Sequence, residues 1–306
     1  MALQYHAGQL EVQTEANTRK LAAQLAGWVG PVAEFATTAD LILLAVQDTS
    51  GALAFTAVSG RAPLVDVAGR GTLSLPILDL PEGTRPVGGL TIALEYSQRA
   101  RLNGRLTADA AGTRLDAAEA FTNCRKYIAP SVALDDAMLV GPATREHIEL
   151  DDAWLVGLIG RAETSFLASA SPEGQPDVSH RGGPAGFLAL DRAARTLTWS
   201  EYIGDGMFKS AGNVRSNGLA TLLVPEFATG DAVELRGVAT YQTLRTMKQA
   251  RLDALQQHEM AYPVQGEMVF QVREAFRLTQ LLRPRRLLDN GLRVTSASET
   301  YEQAPQ

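Results

Sequence analysis

Ser165-Phe-Leu-Ala-Ser-Ala-Ser-Pro-Glu-Gly-Gln-Pro-Asp-Val-Ser-His-Arg-Gly-Gly183 joins a short apolar run, a Ser-Pro-Glu-Gly turn and a second run. That succession reads as a β-hairpin. The same succession stands earlier in the chain: Asp40-Leu-Ile-Leu-Leu-Ala-Val46, the turn Asp48-Thr-Ser-Gly51, then Ala52 to Val58. A shift of 123 positions lays Leu44 on Leu167, Asp48 on Ser171, Gly51 on Gly174, Gly60 on Gly183 and Leu64 on Phe187. Further on, Ala100-Arg-Leu-Asn-Gly-Arg-Leu-Thr107 echoes Val233-Glu-Leu-Arg-Gly-Val-Ala-Thr240 at a larger shift, because the second copy holds an insertion. Two glycine turns in register with a common later strand point to an internal duplication of a β-rich unit. Two unrelated β-domains with similar turns are the alternative.

Outward from these hairpins, Leu21, Leu25 and Trp28 predict a helix over 12–30, closed by Gly30-Pro31. Strands are expected at Thr72 to Leu75, Leu90 to Leu94, Ala100 to Leu106, Thr196 to Ser200, Leu219 to Val224, Val233 to Tyr241 and Met268 to Val272. Helices are expected at Asp151 to Arg161, Leu115 to Phe121 and Leu244 to His258. The expected fold class is mainly β with flanking helices (α+β), as tandem split β-barrels. The expected divisions are 1–110 for a degenerate first repeat, 111–148 for a linker with Gly112, Pro130, Gly141, Pro142 and a short helix, 149–290 for the second repeat, and 291–306 for a polar, mobile tail.

With 306 residues, 45% of them hydrophobic and 20% charged, the chain can bury two ordinary cores. A net charge of −6 argues against nucleic-acid partners, which need a positive face. The single cysteine, Cys124, excludes an intrachain disulfide and fits a reducing compartment. Met1 to Gln13 has no apolar leader segment, and no apolar run approaches the roughly 18 to 20 residues of a spanning helix. A cytoplasmic protein with no membrane partner is expected. The four histidines lack metal-ligand spacing, so no metal site is expected.

The two copies differ where a ligand would sit. In the second, Ser179 and Arg181 share one face of a strand while Val178 and His180 share the other, and Gly182-Gly183 follows. The first copy offers Thr56 and Val58 instead. Only the second copy has the insertion Tyr202-Ile-Gly-Asp-Gly-Met-Phe-Lys-Ser-Ala-Gly-Asn213, which reads as a helix start with Asp205 as N-cap, Lys209 and Ser210 in the first turn, and a stop at Asn217-Gly218. A helix start with a lysine and a hydroxyl suits a phosphate monoester. Each feature alone also fits an ordinary surface strand or capped helix; their joint presence in one copy favours a ligand site.

Asp177-Val-Ser-His-Arg-Gly-Gly-Pro-Ala-Gly-Phe187, Trp199-Ser-Glu-Tyr202, Gly204 to Asn213 and Val233-Glu-Leu-Arg-Gly237 together resemble the pyridoxamine 5′-phosphate oxidase-related, FMN-binding split-barrel family. The two-repeat branch is the most similar, and Asn123-Cys-Arg-Lys-Tyr-Ile128 resembles its inter-repeat Asn-Cys-Pro-Lys-Tyr-Ile segment with Arg125 in place of proline. The resemblance implies FMN as cofactor, held between subunits or repeats, with a homodimer expected. It implies cofactor-binding roles for Ser179, His180, Arg181 and Gly182 along the strand, for Ser200, Glu201 and Tyr202 at the next strand end, and for Met207, Phe208, Lys209 and Ser210 at the helix start. Many members carry Arg or Lys where this chain has Gly206. Vitamin B6 oxidases end with a tryptophan and a histidine-containing segment; Arg283-Pro-Arg-Arg-Leu-Leu-Asp-Asn290 has neither.

The expected function is therefore an FMN-dependent oxidoreductase acting on a small substrate or nicotinamide donor, and not vitamin B6 oxidation. The alternative is a flavin- or haem-binding protein that stores or senses without turnover. A flavin does the redox chemistry itself, so no nucleophile is required; Cys124 and His180 read first as packing residues.

Overall fold

The computed structural model describes residues 2–128, 132–135, 143–255 and 262–287. Three helices, α1 (Ala7–Glu15), α2 (Arg19–Gln24) and α3 (Val29–Ala36), precede strands β1 (Leu41–Gln47), β2 (Leu53–Ser59), β3 (Asp66–Gly69), β4 (Thr72–Leu75), β5 (Gly83–Ala93), β6 (Gln98–Asp109) and β7 (Gly112–Thr122). Two short strands, β8 (Val132–Leu134) and β9 (Thr144–Ile148), lead to α4 (Ala153–Arg161). The second half then runs β10 (Thr164–Ala170), β11 (Pro176–Gly182), β12 (Ala189–Asp191), β13 (Thr196–Tyr202), α5 (Lys209–Asn217), β14 (Leu219–Glu226), β15 (Asp231–Thr243), α6 (Gln249–Leu255), β16 (Val264–Thr279) and β17 (Arg285–Leu287).

The chain is mainly β with flanking helices, and its two large sheets follow one plan. The first is ordered β2-β1-β5-β6-β7-β4-β3 and the second β11-β10-β14-β15-β16-β13-β12, with β9 added against β16. All pairings are antiparallel. Equivalent residues perform equivalent local tasks. Asp48 Oδ1 accepts from the backbone N–H of Ser50 and Ala52, and Ser171 Oγ accepts from Glu173 and Gln175, 123 positions on. Both turns place a glycine at positive φ, Gly51 at 83° and Gly174 at 77°. Each sheet also bulges at an equivalent place, between Asn103 and Gly104 and between Arg236 and Gly237. A Cβ on Gly104 would overlap the Asp116 carbonyl oxygen, and one on Gly237 that of Gln271. Only glycine fits either bulge.

β1 explains why its sequence is apolar without alternation. Ile42, Leu44 and Val46 fill the core of the first sheet, while Leu41, Leu43 and Ala45 face the other half. On β10, Leu167 lies in the second sheet's core and Phe166, Ala168 and Ala170 face back. The shared layer of Leu41, Leu43, Phe55, Leu90 and Ile92 against Phe166, Val178 and Leu223 presses the halves together within one chain.

Some expected elements are corrected. The helix over 12–30 is three helices: Asn17 takes φ 57°, ending α1, and Leu21 and Trp28 are exposed at 49% and 58%. Gly30-Pro31 lies in the first turn of α3, where proline's missing N–H has no helical acceptor to serve. The segment Leu115 to Phe121, read as a helix within the 111–148 linker, is strand β7, because hydrogen bonding to β6 and β4 outweighs the helix propensity of its alanines and glutamate. β16 is far longer than 268–272. The helix expected over 244–258 is a 3₁₀ turn at Leu244–Thr246 followed by α6. His258, Pro130, Gly141, Pro142 and the 291–306 tail lie outside the described residues. No helix among the described residues is long and apolar enough to cross a membrane.

Candidate functional site

A cleft opens where β11, β13 and the start of α5 meet β6 and the segment after β7; its empty space, mouth included, is about 790 Å³. Ten of the eleven expected cofactor residues line it: His180, Arg181 and Gly182, then Ser200, Glu201 and Tyr202, then Met207, Phe208, Lys209 and Ser210. Ser179 stands just behind, its hydroxyl donating to Ser210 Oγ at 3.1 Å. Arg181 Nη2 donates to the same oxygen at 2.8 Å. The alternation expected along β11 holds: Ser179 and Arg181 meet α5, whereas His180 packs edge-on against Phe166.

The start of α5 is set differently from expectation. Asp205 is not its N-cap; Phe208 occupies that position in the left-handed region at φ 51°. Asp205 instead braces the approaching loop, accepting from the Met207 N–H at 3.2 Å and from Asn123 Nδ2 at 3.0 Å. α1 props the helix from behind: Gln9 Nε2 donates to the Lys209 carbonyl and Gln13 Nε2 to that of Met207. The glycine pair Gly182-Gly183 admits other parts of the chain. A Cβ on Gly182 would overlap the Tyr127 carbonyl oxygen, and one on Gly183 would press on Phe187 at 2.7 Å. The close approach there is made by the protein's own chain.

Arg181 and Lys209 share the cleft, yet each has a carboxylate of its own. Arg181 Nε meets Glu201 Oε1 at 2.5 Å, an oxygen that also accepts from Trp199 Nε1. Lys209 Nζ meets Glu119 at 2.6 Å and the Gln4 carbonyl at 3.1 Å. Sequence reading missed the first half's contribution: Arg99 and Arg101 of β6, and Asn123, Cys124, Lys126 and Tyr127 beyond β7. Arg101 is paired with Asp177, while Arg99 reaches only the Lys126 carbonyl at 3.3 Å and Cys124 Sγ at 3.7 Å. The signal was present in the comparison of Ala100-Arg-Leu-Asn-Gly with Val233-Glu-Leu-Arg-Gly, where Arg101 faces Glu234 in the alignment.

Four buried polar atoms on lining residues have no partner: Arg99 Nη1, Arg101 Nε, Asn123 Oδ1 and His180 Nε2. Buried polar groups are ordinarily satisfied, so this wall suits a polar ligand that brings both acceptors and donors. The Asn123 and His180 atoms suit the carbonyl- and N–H-edged ring of FMN. Tyr127 and Tyr202 form one side, with ring centroids 5.3 Å apart and Tyr262 against both. Burial pushes the Tyr127 and Tyr202 hydroxyls up to about 12.

Burial first, then the guanidinium of Arg99, then that of Arg181, hold the His180 imidazole well below its usual range. The folded chain therefore keeps it neutral at pH values where the unfolded chain protonates it. Its contribution to stability is complete above about pH 6.5 and declines as pH falls toward the folded value, by about 1.4 kcal/mol per unit. Urea midpoints of wild type and His180→Gln should converge or cross as pH drops from 7.5 to 5.5; parallel curves would refute the assignment.

Gly206 sits at φ 75°, and a Cβ there would lie 3.1 Å from Thr18 Cβ and 3.2 Å from Leu21. A side chain there would strain the backbone and crowd Thr18 and Leu21. Gly206→Arg should lower stability by about 1–3 kcal/mol without tightening FMN binding, as thermal melts and flavin titrations would show. A gain in affinity would contradict this packing.

No protein-family profile and no curated protein matches this chain. Solved structures similar to it include HupZ of Group A Streptococcus, as its H111A variant, 19% identical over 41% of this chain and 97% of its own, with TM-score 0.33. A pyridoxamine 5′-phosphate oxidase-related, FMN binding protein of Nostoc punctiforme is 13% identical over 44% of this chain and 86% of its own, with TM-score 0.33. A protein of Clostridium acetobutylicum related to general stress protein 26, of the pyridoxinephosphate oxidase family, is 10% identical over 44% and 92%, with TM-score 0.29. None of these likenesses bears on what this chain binds or turns over.

Proposed function

We propose that the cleft binds one FMN per chain and that the protein is an FMN-dependent oxidoreductase for a small substrate or nicotinamide donor. The observation that carries this is the chain of contacts Ser179 Oγ, Ser210 Oγ and Arg181 Nη2 at the first turn of α5, inside a cleft that His180, with its unpartnered Nε2, also lines. A helix start supplies free N–H groups and a positive dipole end; a hydroxyl and a guanidinium beside it complete a seat for a phosphate monoester. The flavin, when bound, supplies the electron-accepting ring. The protein's residues hold the phosphate and keep the His180 imidazole uncharged. In this reading a homodimer is not needed to complete the cleft, because the second half-barrel that closes it belongs to the same chain.

FMN should bind at least about 100-fold more tightly than riboflavin, which lacks the phosphate and so the charge-assisted contacts. Quenching of flavin fluorescence in parallel titrations reads this directly. Equal affinities would remove the phosphate seat. Bleaching of the loaded protein by a nicotinamide donor under nitrogen, with recovery in air, separates an enzyme from a protein that only holds flavin.

A further inference from the structure

Three of the buried cations in the cleft are neutralised from within the protein: Arg101 by Asp177, Arg181 by Glu201 and Lys209 by Glu119. Arg99 is not. It is 9% exposed, Nη1 has no partner, and among the described residues no carboxylate lies within ion-pair distance. Nη2 is spent on a backbone carbonyl and on the soft sulfur of Cys124. Burial pushes its proton affinity below the arginine range, with Cys124 and Asp205 opposing from nearby and Arg101 adding to the burden. A guanidinium does not release its proton at neutral pH, so the fold holds a buried charge with no ion-pair partner among the described residues. Such a charge is retained where a ligand neutralises it.

Two further facts separate this cation from the phosphate seat. Arg99 comes from β6 of the first half, whereas the seat is built from β11 and α5 of the second. It is also accompanied by half-buried Lys126, and the tyrosine faces of Tyr127 and Tyr202 line the same cleft. We propose that Arg99 seats the acidic group of a second ligand, so that the flavin's reaction partner is a small planar organic anion. This rests on the FMN reading above for the word partner; the anion seat itself does not depend on it.

Cys124 gives a direct reporter, being the chain's one cysteine and in contact with Arg99. Alkylation of Cys124 by iodoacetamide, an uncharged reagent that Arg99 does not attract, is followed by mass spectrometry in apo and FMN-loaded protein. Benzoate should slow it saturably, by about tenfold or more, while its neutral counterpart benzamide should not. Arg99→Gln should abolish the protection and leave FMN affinity within about threefold. If that variant does not fold, the contrast between benzoate and benzamide in wild type decides. Absence of protection by benzoate, equal protection by benzamide, or a tenfold or greater loss of FMN affinity in Arg99→Gln would overturn the proposal; the last result would give Arg99 to the cofactor's phosphate. A wild type that takes up no FMN but is still protected by benzoate would refute the cofactor and uphold the anion seat.

Discussion

Replacing Arg101 with methionine is expected to lower stability by about 3–5 kcal/mol. Arg101 Nη1 donates to both oxygens of Asp177, at 3.0 and 2.9 Å, and the two side chains are 9% and 5% exposed. Without the guanidinium, Asp177 keeps only Asn103 Nδ2, at 3.0 Å, and becomes a buried carboxylate with one side-chain donor. The pair also links β6 of the first half to β11 of the second, so the loss falls on the contact between halves. Urea denaturation measures it. Arg101→Met combined with Asp177→Leu should recover much of the loss, since two apolar groups bury without penalty where one charge does not. A loss below about 1 kcal/mol would mean that the pair behaves as a solvent-screened surface bridge.

Arg181→Ala should weaken FMN binding by about 10- to 100-fold. It removes a donor from the Ser210 hydroxyl and also leaves Glu201, 8% exposed, without its counter-ion close to the phosphate seat. Val58→Ala, at the place Arg181 would occupy in the first half, is the comparison. Val58 is buried in the first sheet's core, so that change should lower stability by about 1–2 kcal/mol and leave flavin affinity unchanged. Equal affinity losses in the two titrations would contradict a single site.

The first half's equivalent of the cleft is filled by the chain itself. Ser59 and Asp40, counterparts of Gly182 and Glu163, receive Arg285, whose Nη2 donates to the Asp40 carbonyl at 2.8 Å and which is 3% exposed. Glu234, the counterpart of Arg101, is taken by the Phe55 N–H, Arg145 and Arg236. The first half thus carries a guanidinium, Arg101, where the second carries a carboxylate, Glu234, and Arg285 occupies the first half's counterpart of the cleft. The loss of Arg181's counterpart to Val58 was legible in sequence; the occupation of the space by Arg285 was not, because residue 285 reaches Asp40 across 245 positions.

Much of the fold was written locally. The turns at Asp48 and Ser171, the glycines that follow them and the apolar runs beside them are short-range signals, and they led to the correct strands in both halves. β7 was misread because propensity is a weak guide where a partner strand is waiting on each side. Ten of the eleven expected site residues line the cleft because they lie on three short segments, the end of β11, the end of β13 and the start of α5, that meet at it. By itself the sequence determined that one half, and not the other, carries a hydroxyl, a guanidinium and a helix start close together. Only the tertiary structure decided which charges are free. Arg101 finds Asp177 76 positions away and Lys209 finds Glu119 90 positions away, while Arg99 finds no carboxylate among the described residues. Pairing and burial depend on distance in space, and no spacing along the chain encodes that until both halves are folded against each other.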